Sequence, residues 1–391
     1  MCNSINAIEG IDPFHYLHND ILQSNIIPKI VFEPKNNSVF MVSKKWNETL
    51  KQAKVWKNLA ENYSFIRKED KTLFLTEPKK AYFLNERIKT AILDDSYDMI
   101  KDKFTEGRIL RYGILGEDLI MQNSRSSPTL TFELNKFNKD SSSYTNMYQN
   151  IKAFATSGNT LFYLTKEFEL YKQEKNAPAV LLHNDIAKLV NGERCDSEID
   201  VSKSEIVLLN DKCVCKTKLY SEWLHVIDES GNKLSKKLPQ ITALTTFNNT
   251  LVTGTFDGKI SFYDENLDLI KCLESEPNNQ TQSNTSILAF VNFQGKLVSG
   301  GMNQTIKIWS DNDDYSELSP KVTISCLGAL DNRLVSSSDE GTISIWKKDK
   351  TCHTVKVPLT GGGSFLTTHE NIIYFRGHIL VFDKKKSQKS N

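Results

Sequence analysis

The sequence predicts a mainly β fold, a seven-bladed β-propeller preceded by a small all-α module and a helical connector. Three observations predict it. The stretches "TLVTGTFDGKISFYD" from Thr250, "KLVSGGMNQTIKIWS" from Lys296 and "RLVSSSDEGTISIWK" from Arg333 are near-copies of one another. Weaker copies continue the series in both directions to a total of seven. The first sixty residues, in contrast, space their apolar side chains at helical intervals of three and four. Each strong copy reads as an apolar strand, a small-residue end, a tight polar turn and an alternating strand closed by an aromatic. The closing rings are Tyr263, Trp309 and Trp346. Self-similarity at a period of about 40 residues marks repeated four-stranded blades, because one such unit cannot bury its apolar faces alone.

Downstream, "NIIYFRGHILVFDKK" closes on Phe382. Upstream, "KCVCKTKLYSEWLHVIDE" closes near Ile227, "TLFYLTKEFELYKQE" near Tyr171 and "DLIMQNSRSSPTLTFELNK" near Leu134. Each pair follows another short apolar run: "ILRYGIL", "IKAFATS", "EIVLLND", "ITALTTF", "ILAFVNF", "TISCLGAL" and "SFLTTH". The alternating aromatics are inward strand positions, and their expected role is core packing. The unit ending near Ile227 carries an insert, roughly Leu182 to Lys203, expected as a loop on one face.

Composition excludes several classes of function. The chain of 391 residues is longer than one average domain and can bury a sizeable core. A formal net charge of +1 gives no electrostatic reason to expect nucleic acid or an anionic membrane as partner. No run of about 18 apolar residues exists to span a bilayer. The N-terminus, "MCNSINAIEGIDPF", does not read as a signal peptide. Seven cysteines are scattered, and Cys213-Val214-Cys215 is too tight for a zinc knuckle. In a strand those two thiols share a face. Free thiols in a reducing, cytoplasmic compartment are expected, with a nuclear address in the "KKKSQKS" tail as a weaker alternative. Histidines are equally dispersed, so no metal, cofactor or catalytic residue is expected, and the chain is expected not to be an enzyme.

The strong copies resemble WD repeats: small residues, a polar turn position, then "I-x-I-W". That turn position is Asp257, Asn303 and Glu340. None of the seven units has the family's Gly-His dipeptide ahead of its strands (Gly377-His378 falls inside the hairpin of the seventh), so its stiffening hydrogen-bond network is expected to be largely absent. The resemblance implies a propeller over residues 105–385. The seventh unit lacks an evident fourth strand, which is expected from upstream of Ile109, around Thr72–Leu75 or Ala91–Asp94. The resemblance also implies that a protein substrate binds the face reached by the turns between second and third strands. Those turns offer Arg125, Lys166, Lys218, Phe256, Met302, Asp339 and Arg376. Phosphate-reading relatives use clustered arginines, and only Arg125 and Arg376 are offered here.

The segment before the repeats has a different character. Val39, Val42, Trp46, Leu50 and Ala53 form one helical stripe, and Val55, Trp56 and Leu59 follow. Upstream lie Leu17, Ile21, Leu22, Ile26, Ile30 and Phe32, with Pro28 and Pro34 breaking the run. So short a run of helices cannot enclose these groups by itself. The stretch "VSKKWNETLKQAKVWKNLA" resembles the second half of an F-box, through Val42, Ser43, Lys44, Lys45, Trp46, Trp56 and Leu59. "DPFHYLHNDIL" resembles its first half, with His18 in place of the usual proline and Asp20 in place of the glutamate.

Residues 11–60 are thus identified as an F-box-like module, and 61–104 as a helical connector with Phe83, Ile88, Ile92 and Ile100 at helical spacing. The order of modules resembles F-box/WD-repeat proteins, the substrate receptors of SCF-type ubiquitin ligases. That resemblance implies a Skp-type adaptor, and through it a cullin, as partner. Leu17, Ile21, Leu22, Ile30, Val42, Trp46, Trp56 and Leu59 would contribute to the adaptor contact by helix-in-groove recognition. The alternative expectation is a propeller scaffold unrelated to ubiquitin, capped by its own N-terminal helices.

Overall fold

The repeats fold as strands because their apolar runs are short, β-branched and bounded by polar turns. The structure is a computed structural model describing residues 67–94, 97–101, 108–125, 131–138, 143–188, 205–217, 221–274, 285–357, 366–375 and 378–382. Its contacts divide the chain into two units, Met1–Asp98 with Phe382–Asn391, and Met99–Val381. The larger is a seven-bladed β-propeller. Blades 1 to 6 span residues 108–149, 151–183, 205–237, 241–274, 287–318 and 326–356, each an antiparallel run of four strands in chain order.

Blade 7 supplies only three strands from residues 366–381, and its fourth comes from Asp98–Lys101 at the front of the chain. The ring therefore closes with an upstream strand, as expected, but not where the sequence suggested. Thr72–Leu75 lies in helix α1 (Lys68–Thr76), and Ala91–Asp94 lies at the end of helix α2 (Pro78–Leu93). Those stretches sit inside longer runs of strong helix formers, and Pro78 opens α2 at the position where a missing N–H costs nothing. Ile88 and Ile92 are buried on α2, whereas Ile100 belongs to the closing strand and not to a helix. Closure is also seen where blade 7 meets blade 1. The Thr367 hydroxyl donates to the Tyr112 carbonyl at 3.1 Å, and the Tyr112 and Tyr374 rings lie 5.2 Å apart.

Burial follows position within a blade. Second strands such as Thr250–Thr255 and Lys296–Gly301 are buried on both faces, because neighbouring blades cover them. Outer strands such as Leu269–Glu274 and Tyr315–Leu318 are mostly exposed. The closing aromatics Tyr263, Trp309 and Trp346 are buried, as expected, between their own blade and the one before it. Phe382 is buried too, but in the first unit, with its ring 5.5 Å from Tyr97.

The hydrogen-bond network expected to be largely missing retains one link. Trp309 Nε1 donates to Ser299 Oγ, and Trp346 Nε1 to Ser336 Oγ, both at 2.9 Å and both buried. A buried indole N–H needs such an acceptor. In each copy the serine lies ten residues before the tryptophan, so the pairing follows from the antiparallel register of the two strands.

The turns between second and third strands explain the acidic-glycine pairs. Gly258 and Gly341 adopt φ of +83° and +81°. Gln304 occupies the same place in blade 5 with φ +61°, a conformation that costs a residue with a Cβ about 1 kcal/mol or more. Gln304→Gly is expected to stabilise the protein by about 1 kcal/mol, raising the thermal midpoint by about 2 °C. Differential scanning calorimetry of the two proteins checks this.

Blades 1 and 2 are joined by a charged staple. Asp118 lies 2.9 Å from Lys136 of its own blade and 3.0 Å from Lys175 of the next. Burial pushes the Asp118 carboxyl up, but the bonds and charges of the two lysines outweigh it, and its value falls below the ordinary range. A depressed carboxyl stabilises the fold fully above the unfolded value of about 4, and the contribution is lost as pH falls through the folded value. Thermal midpoints measured from pH 7 to pH 3 are therefore expected to fall more steeply for the parent protein than for Asp118→Asn. Parallel curves would contradict this account.

Candidate protein-binding face

Antiparallel alternation carries every turn between a second and a third strand to one face of the propeller. Lys166, Phe256, Met302 and Asp339 all stand in such turns. Lys166 is about half exposed beside Glu167, Phe256 is 42% exposed, Asp339 is exposed and Met302 is half-buried. Arg125 ends the second strand of blade 1, with its side chain outside the described residues. Lys218 and Arg376 lie outside them altogether. So do all the expected adaptor-binding positions, Leu17, Ile21, Leu22, Ile30, Val42, Trp46, Trp56 and Leu59.

Of the described turn residues, Phe256 borders a cleft of about 550 Å3 between blades 3 and 4. Glu222, Lys237, Leu238, Gln240, Thr255 and Asp257 complete its lining. The cleft owes its floor to one element. Lys233–Phe247 is a single strand of 15 residues that pairs first with blade 3 and then with blade 4, fusing the two into a seven-stranded sheet. Lys237 faces Trp223 on one side, and Ile241 faces Thr255 on the other. Pro239 falls at the handover between those pairings, a place where a missing N–H interrupts no ladder. From the sequence only its second half, the run "ITALTTF", is named, as the opening of a unit.

The cleft's charged groups are unequally held. Asp257 accepts from the Thr255 hydroxyl, which in turn accepts from the Lys259 N–H at 3.1 Å. Phe256 N donates to the Gln240 carbonyl at 3.4 Å, tying the turn to the floor strand. Burial pushes the Asp257 carboxyl up, and the Thr255 bond and Lys259 ammonium pull it below the usual range, so it is ionised at neutral pH. Glu222 pairs with Lys237 at 3.0 Å and Asp257 with Lys259 at 3.3 Å, and all four side chains are about half exposed. Only Phe256 and the turn position Asp257 were visible in the sequence. The remaining five residues come from the crossover strand and its two flanks.

The interior holds charge as well. Lys216 is buried, with Nζ 2.9 Å from Glu205 and 2.9 Å from the Thr242 carbonyl of the next blade. Arg111 of blade 1 is also buried, which lowers its guanidinium value, while Glu205 and Cys326 oppose that. Cys213 and Cys215 share one apolar cluster, as their spacing predicted, and burial pushes both thiols up, Cys215 to about 12. Such thiols are protonated and unreactive. Ile186 and Ala187, at the start of the insert after blade 2, are buried in that same cluster, so these residues are core and not surface loop. Among the described residues no group of three or more His, Cys, Asp or Glu side chains is placed to hold a metal. No helix among them is long and apolar enough to cross a membrane.

The fold places the larger unit in the class of WD40-like propellers. No protein-family model matches the chain, and no curated protein matches it. Solved structures do resemble it. The WD40 β-propeller domain of Doa1 aligns with TM-score 0.53 at 13% identity, over 75% of this chain and 99% of that one. A chain of a mitotic checkpoint complex aligns with TM-score 0.52 at 10% identity, over 74% and 95%. The computationally designed Ika8 protein aligns with TM-score 0.50 at 15% identity, over 72% and 98%. At such identities the likeness speaks to fold alone.

Proposed function

We propose that this protein is the substrate-recognition subunit of an SCF-type ubiquitin ligase. Its N-terminal module would bind a Skp-type adaptor and its propeller a protein substrate. The observation that carries this reading is the run Ser43-Lys44-Lys45-Trp46 with Trp56 and Leu59 placed ahead of a seven-bladed ring. The chain's contribution is binding without chemistry. Holding a substrate lysine near a charged ubiquitin thioester raises its effective concentration, which accelerates transfer without an acid, base or nucleophile from this chain.

The test is to mix the full-length protein with a purified Skp-type adaptor and follow co-elution and affinity. A stoichiometric complex is expected, weakened about tenfold or more by Leu22→Asp and by Trp56→Ala. Absence of any association would leave the second reading, a propeller scaffold unrelated to ubiquitin. That reading is favoured by the cleft beside Phe256, which needs no ligase to be useful.

A further inference from the structure

We propose that Tyr171 is a one-electron oxidation site, a phenol that becomes a neutral tyrosyl radical by passing its proton to Glu169 while the stacked rings of Tyr163 and Tyr148 share the electron deficit.

The site is built across the joint of blades 1 and 2. Tyr163, on the second strand of blade 2 (Thr160–Thr165), stands directly opposite Tyr171 on the third (Leu170–Glu174). Cross-strand neighbours on one face of a sheet meet side chain to side chain. These two rings lie 5.1 Å apart, with planes 10° from parallel. Tyr148, on the outer strand of blade 1 (Ser143–Gln149), stacks on Tyr163 as well, at 4.5 Å and 25°. Tyr163 is buried, and its two neighbours are half-buried.

The proton has a defined destination. The Tyr171 hydroxyl donates to Glu169 Oε2 at 3.1 Å, within the reach a proton acceptor needs. The turn holds Glu169 in place. Its N–H donates to the Thr165 hydroxyl at 3.2 Å, and its carbonyl accepts from the Thr165 N–H at 2.9 Å. Phe168, just before it, is buried at φ +68°, a conformation a bulky residue keeps only where its surroundings impose it.

An oxidised phenol is strongly acidic, so an electron leaves easily only where the proton can leave too. Burial, then the bond and charge of Glu169, push the Tyr171 hydroxyl up, and the ring keeps its proton until it loses an electron. An oxidant of the peroxyl-radical class takes one electron from Tyr171 and becomes its anion. The phenol O–H bond breaks, a new O–H bond forms on Glu169 Oε2, and the neutral phenoxyl remains. Tyr315 is 41% exposed and meets an oxidant more readily. Its ring, however, lies 4.0 Å from the Lys307 ammonium, and that charge opposes a positive hole there.

The experiment uses the full-length protein, photogenerated tris-bipyridyl ruthenium(III) as oxidant, and electron paramagnetic resonance of freeze-quenched samples. A neutral tyrosyl signal is expected. Tyr171→Phe, which keeps the ring and the stack, should remove more than half of it, and Tyr315→Phe should leave it unchanged. Glu169→Gln should slow its formation about tenfold or more. That variant should also make the rate rise with buffer concentration, since a buffer base must then take the proton, whereas the parent rate should not depend on buffer. A packing defect does not create such a dependence. A signal that survives Tyr171→Phe intact, or that Tyr315→Phe removes, overturns the proposal, as does the absence of any tyrosyl signal in the parent protein. Equal buffer dependence in parent and Glu169→Gln overturns the transfer to Glu169.

Discussion

Gly301→Ala is expected to prevent stable folding of the propeller at physiological temperature. A Cβ at this position would fall well inside contact distance of the Ser286 carbonyl oxygen, 2.9 Å from the Ser286 carbonyl carbon and 3.1 Å from the Ile287 Cα. All three atoms are backbone, so no side chain can rotate away. The Ser286 carbonyl is held by the Met302 N–H at 2.9 Å, and the Gly301 carbonyl accepts from the Ile324 N–H at 3.0 Å. Gly301 therefore sits where the second strand of blade 5 touches both the entry to its own blade and the entry to blade 6. Admitting one methyl group must part strands on two sides. Overpacking typically costs about 1–3 kcal/mol, and a clash confined to backbone belongs at or above the top of that range. Urea denaturation followed by tryptophan fluorescence measures it, since Trp309 lies in the blade affected. A loss below about 1 kcal/mol would show that the junction is looser than described.

Lys216→Met is the second large effect, expected at about 2–3 kcal/mol. The variant conserves length and apolar stem but removes the ammonium from a side chain that is 1% exposed. Two groups then lose their partner, the Glu205 carboxylate and the Thr242 carbonyl. Breaking a buried pair from one side costs about 3–5 kcal/mol. Glu205 is 27% exposed and is still attracted to Arg111, and both features reduce the penalty. The double variant Lys216→Met, Glu205→Gln is expected to recover at least half of the loss, because the uncompensated charge is then gone. A double variant no better than the single one would place the cost in the Thr242 bond instead. Midpoints of urea unfolding for the three proteins separate these outcomes.

Much of the propeller was legible in its repeats. The strong copies at Thr250, Lys296 and Arg333 place their small residues, turn and closing aromatic where the structure has them, because each blade solves the same packing problem. The weaker copies show in their hairpins, which close near Leu134, Tyr171, Ile227 and Phe382, and the seven apolar runs ahead of the hairpins all fall in the innermost strands of blades, the run from Ile241 being the second half of Lys233–Phe247. The closing strand was placed too early. Asp98–Lys101 is only four residues long and holds no pattern of its own, and pairing with His378–Val381 alone makes it a strand. Helical spacing dominated the neighbouring residues and concealed it. The tryptophan–serine bonds were missed for a related reason: a spacing of ten residues means nothing until the antiparallel register is known.

What the sequence by itself determined is the kind of object this is, a ring of similar β units behind a helical segment. Periodicity of apolar residues is a local property, and burial demands it wherever a blade forms. Only the tertiary structure decided which side chains share the cleft beside Phe256. Lys233–Phe247 runs unbroken from one blade into the next, and this brings Glu222 from one side and Asp257 from the other to a common floor. Contacts between residues so far apart in the chain leave no periodic trace, so only the folded arrangement discloses them.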